Sequence, residues 1–132
     1  MSDFTLTTTV DAPYEQTVAA VREELANVGF GVLTEIDLAA TLKAKLDVDI
    51  APKIILGACR PPLAHRALEA DPRVAALLPC NVVVSDAGRG TTLVEAMDPD
   101  VMPEFTGTDA LKDVATEARE LLARMLTAVS ER

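Results

Sequence analysis

Asn81-Val-Val-Val-Ser85 and Thr91-Thr-Leu-Val-Glu-Ala-Met97, joined by Asp86-Ala-Gly-Arg-Gly90, decide the fold. Two β-branched, apolar-rich runs on either side of a link crowded with turn formers read as a β-hairpin. Downstream, residues 98–107 read as a Pro- and acid-rich loop. Thr108-Asp109 then starts the longest helix. Its Leu111, Val114, Ala118, Leu121, Leu122, Met125 and Val129 recur at helical spacing and make one apolar stripe, too wide to leave in water. The stripe must lie on a sheet or on a partner. A late hairpin followed by a long helix points to a mixed or antiparallel sheet with helices largely on one face.

Upstream, alternating strand and helix signals complete the pattern. Residues 4–10 are β-branched and read as an opening strand. Asp11-Ala12-Pro13 supplies helix-start signals, with Asp11 as the cap. Tyr14, Val18, Val21, Leu25 and Val28 form a stripe that Gly29 is placed to end in a left-handed cap. Residues 30–36 read as a second strand, and Asp37 as the cap of a short helix carrying Leu38, Leu42 and Leu46. Pro52 precedes a third strand, Lys53–Cys59, and Pro61-Pro62 opens a further helix that Asp71-Pro72 ends. Residues 74–78 fit either a helical turn or a loop. The order β-α-β-α-β-α-β-β-α describes one compact α+β domain of about five strands over residues 1–132.

Composition narrows the function. Against 12 basic residues stand 21 acidic ones, a net charge of −9, which repels phosphate backbones and anionic lipid. There is no Trp, and the aromatic residues are only Phe4, Tyr14, Phe30 and Phe105, so no base-stacking platform is apparent. Nucleic acid and membrane are therefore not expected partners. With no apolar run near the roughly 20 residues of a membrane span, and no basic-then-apolar leader, the location is read as cytoplasmic. A single histidine excludes chemistry that needs two, and no nucleophile elbow supports a hydrolase. Gly88-Arg89-Gly90 lacks the spacing of a phosphate loop. Glu95, Asp98, Asp100 and Glu104 lack the convergent oxygens and turn glycine of a calcium loop. No cofactor is expected.

Three ordered stretches carry a resemblance: Gly29-Phe-Gly-Val-Leu-Thr-Glu-Ile-Asp37, then Leu56-Gly-Ala-Cys59 with Pro61-Pro62, then Leu78-Pro-Cys-Asn81. Together they resemble the domain-of-unknown-function 302 family, over most of the chain. The resemblance implies a compact α+β fold with a curved five-stranded sheet and dimeric members. It implies no established reaction. Where the family usually has Asn after the first motif cysteine, this chain has Arg60.

Candidate sites follow from both readings. Cys59 ends a strand just before the helix at Pro61-Pro62, where a helix dipole and Arg60 would favour a thiolate. Cys80 begins the next strand, so antiparallel pairing would bring both thiols to one sheet end. Against that stands the habit of free cysteine to behave as a small buried hydrophobe. His65, one turn into the helix, is a conceivable third ligand for a soft metal beside the two thiols, although the spacing is far from C-x-x-C. Glu35 and Asp37, two apart on a strand, could meet as paired carboxylates. Alternatively, Asp37 only caps its helix, with Glu35 paired to Lys43 or Lys45. The leading expectation is a non-catalytic domain, working as a homodimer, that binds a small molecule or a protein in a groove near Cys59, Cys80 and Asn81. Arg60, His65, Glu35 and Asp37 are further candidate contacts. A thiol-based redox protein or enzyme, with Cys59 as nucleophile and Cys80 as resolving thiol, is the alternative, and soft-metal (copper or zinc) handling the third.

Overall fold

A computed structural model describes residues 3–132. Its strands are β1 (Thr5–Val10), β2 (Gly31–Asp37), β3 (Lys53–Cys59), β4 (Cys80–Gly88) and β5 (Thr91–Met97). They form a single sheet in the order β1-β5-β4-β3-β2, antiparallel at every step. The helices are α1 (Tyr14–Asn27), α2 (Leu38–Leu46), α3 (Pro61–Ala70), α4 (Val101–Thr106) and α5 (Lys112–Ser130). Among the described residues no helix is long and apolar enough to cross a membrane.

The β4–β5 hairpin forms, with β4 running on through Gly88 into the expected loop, so that only Arg89-Gly90 remains as the turn. Asp86 Oδ1 accepts from Gly88 N at 2.8 Å, and the Thr91 hydroxyl donates to Gly88 O at 2.7 Å, closing the turn. Because side chains alternate across a strand, Val82, Val84, Val94 and Ala96 all face one side. There they meet α1 through Val21 and Leu25, and α5 through Leu122, Met125 and Val129. The stripe of α5 is thus spent inside the chain, on the sheet and α1, and leaves no broad apolar face for a partner. A second core, with Leu63, Ala67, Val74, Met102 and Leu111 among its members, ties α3 and α4 to the start of α5.

Several local expectations change. Asp11 does not cap α1: the cap position is Pro13, without a side-chain cap, and the Thr17 hydroxyl donates back to Pro13 O at 2.9 Å. The loop at 98–107 contains α4, held in place by the burial of Val101 and Met102. Residues 72–77 form a 3-10 helix that Asp71 caps by accepting from Arg73 N. A 3-10 turn at Asp109–Leu111 precedes α5. Asp37 caps α2, its Oδ1 accepting from Ala40 N at 2.9 Å, and Gly29 follows α1 with φ 83°.

α1 and α5 cover one face of the sheet, and α3 packs on the start of α5. α2 packs on β2 and β3 without a single buried residue, and its Leu38 borders the opposite face. Among the described residues no other helix packs on that opposite face.

Candidate functional site

Two concave regions hold the expected site residues. The first is a cleft of about 20 Å³ at the end of β3 and β4, lined by Phe30, Cys59, Arg60, Leu63, Cys80 and Met102 among others. The register places Ala58 of β3 opposite Cys80 of β4, so both thiols come to one sheet end. Close packing of the Thr34 and Pro79 side chains requires glycine at position 57. A Cβ there would lie 2.1 Å from Thr34 Oγ1 and 2.8 Å from Pro79 Cγ. Gly29, bare of a side chain, is the surface over which Arg60 lies, since a Cβ at 29 would stand 2.9 Å from Arg60 Nε. That Nε is buried and, among the described residues, has no hydrogen-bond partner.

The electrostatics at the cleft do not favour a thiolate. Burial pushes the half-buried Cys59 thiol upward. Burial, with Cys59 nearby as the lesser cause, pushes Cys80 up to about 11. The expected help from the α3 N-terminus is missing for a structural reason. Pro61 and Pro62 have no N–H, and the amides of Leu63 and Ala64 both donate to Arg60 O at 3.0 Å. No amide of the first turn is left to face Cys59.

The other candidates lie apart from the cleft. His65 is on the outer side of α3, its side chain 76% exposed, with Nδ1 3.8 Å from Glu69. Glu35 pairs with Arg22 of α1 at 2.5 Å, while Asp37 is occupied as a cap, so the two carboxylates do not form a pair and Glu35 does not reach Lys43 or Lys45. Among the described residues no group of three His, Cys, Asp or Glu side chains converges. Asn81 follows Cys80 and, by strand alternation, turns to the opposite face of the sheet.

That opposite face is the second region, a groove of about 490 Å³ lined by Phe4, Thr5, Leu38, Lys53, Ile55, Asn81, Val83, Glu95 and Met97. Strand register lays its side chains out in rows. Ile36, Ile55, Val83, Glu95 and Thr7 form the middle row. Lys53, Ser85, Leu93 and Thr9 flank it, and Gly57 with Asn81 opens the row on the other side. An antiparallel sheet with one face in water carries polar residues there. Here the centre is aliphatic: Ile36 is 46% exposed, and Ile55, Val83, Leu93 and Met97 are each partly exposed. Phe4, at the mouth, is 60% exposed. Sequence reading missed this surface, although apolar residues at both alternating positions of β3, β4 and β5 carry its signal. Among the described residues neither Lys53 nor Glu95 has an ion-pair partner.

Comparison with known proteins agrees with this architecture. The family model "Domain of unknown function DUF302" matches residues 6–129. The chain is similar to the crystal structure of an uncharacterized conserved DUF302 protein from Bacillus stearothermophilus, with 30% identity and a TM-score of 0.88. That similarity covers 96% of this chain and 98% of the other. No curated protein matches. With the family model matching residues 6–129 of 132, the chain belongs to the DUF302 family.

Proposed function

We propose that this chain is a non-catalytic protein-interaction domain that assembles as a homodimer and works through the uncovered face of its sheet. The observation that carries this reading is the aliphatic centre of that face, Ile36, Ile55, Val83, Leu93 and Met97, where water would select polar residues. Each of these side chains gains by leaving water, at about 25 cal/mol per Å² of apolar surface covered. The raised thiols argue for the same reading and against the thiol-based redox alternative, because the thiolate is the nucleophile. Soft-metal binding loses its third ligand, since His65 stands outside the cleft. In a reducing cytoplasm both cysteines stay free.

A small-molecule reading keeps one specific support, the unpartnered Arg60 Nε at the cleft. The cleft has room for about one water molecule, far below the roughly 300 Å³ of an ordinary ligand pocket. The face of the sheet is the better supported binding surface.

Oxidative footprinting tests the proposal, because Met97 lies in the groove while Met102 and Met125 are buried in the core. Met97 should oxidise slowly in the assembled protein and several-fold faster in a Val83→Glu variant, whose charge at the centre of the face opposes burial. Met102 and Met125 should stay slow in both. Equal Met97 rates in the two proteins, whether fast or slow, overturn the reading.

A further inference from the structure

The uncovered face is self-complementary in charge as well as apolar. Its central strand, β4, carries Val83 in the middle row. Lys53 stands on β3 to one side and Glu95 on β5 to the other, both half-buried and, among the described residues, without an ion-pair partner. A lone cation and a lone anion on opposite sides of β4, one row apart, suit a two-fold contact in which the cation of each copy meets the anion of the other.

We infer that two copies of this chain pack face to face about a two-fold axis along β4, with Lys53 of each reaching Glu95 of the other. The inference rests on the homodimer proposed above and names its surface and geometry. Rotation about such an axis lays β5 of one copy over β3 of the other. Lys53 shares a row with Ser85 and Leu93, and Glu95 one with Val83, so the two are one outward step apart along the strand. That step is about 7 Å, within the reach of the flexible four-carbon lysine stem. The sheets then stand about 10 Å apart with Ile55, Val83 and Met97 between them. The same rotation carries α2, which borders the β3 side of the groove, over to the second copy's β1 edge. There Phe4 lies 60% exposed, and Leu46 of α2, 67% exposed, finds cover.

Charge reversal tests the arrangement, with sedimentation reading the dissociation constant. Lys53→Glu alone and Glu95→Lys alone should each weaken self-association by roughly tenfold or more, since each sets two like charges together in both halves of the contact. An equimolar mixture of the two variants should associate within about threefold of the original protein, because every contact in the mixed pair is again of opposite sign. Restored association also shows that both variants are folded. If the original protein dimerises but each reversal leaves the constant within about twofold, the geometry is wrong while the homodimer stands. If the original protein is monomeric at all concentrations, the homodimer reading fails and this inference with it.

Discussion

At the scale of single residues, burial outweighs the features that looked chemically active. Arg60 and a helix start beside Cys59 pointed to a stabilised thiolate, yet two prolines remove the first amides and the next two are spent on Arg60 O. Desolvation is then the largest influence on both thiols, and it favours the neutral form. Alkylation of the native protein should therefore be slow at neutral pH, with Cys59 reacting before Cys80. The labelling rate of Cys59 should climb only as pH rises above the ordinary thiol value of about 8.5. Cys80, raised to about 11, should resist labelling until the chain unfolds. Peptide mass spectrometry against pH checks this, and fast labelling of Cys59 with an apparent value below the ordinary one would restore the redox reading. Asp37 shows the opposite case: its role as a cap was legible because it depends on the residues immediately after it. Glu35 was not legible in the same way. Its partner Arg22 lies on another element, brought near by the packing of α1 against the sheet.

At the scale of elements, periodicity was a good guide and caps and breaks a poorer one. The stripe of α5 was plain in the sequence because seven apolar residues recur on one side of a long helix. Leu122 and Met125 are fully buried in it, against the sheet and α1. Leu122→Ala should cost about 2–5 kcal/mol of stability in denaturant unfolding, with no change in slope. A cost under about 1 kcal/mol would mean that α5 is not packed on the sheet as described. The start of α1 was misread by two residues, since Asp11 offers a better capping side chain than Pro13, which holds the position. α4 was hidden because a six-residue helix has too few turns to show a period, and the burial of Val101 and Met102 stabilises it from outside. Most consequential was the second face of the sheet. The apolar residues of β3, β4 and β5 were visible one strand at a time, but their alignment into rows depends on the strand order β1-β5-β4-β3-β2.

At the scale of the molecule, one face of the sheet is paired with helices and the other is left aliphatic. Association of two copies must overcome a net charge of −9 on each. That repulsion acts over long range and is largely screened beyond about 8 Å at physiological salt, whereas the apolar contact between the faces is not. In the proposed contact the charges at Lys53 and Glu95 would fix alignment rather than supply most of the affinity. In the proposed assembly the uncovered face is closed in solution by a second copy. Light scattering on the purified chain, from low to high micromolar concentration, tests it most directly. The expected result is a particle of twice the 14.0 kDa chain mass. A mass of one chain at every concentration would contradict it.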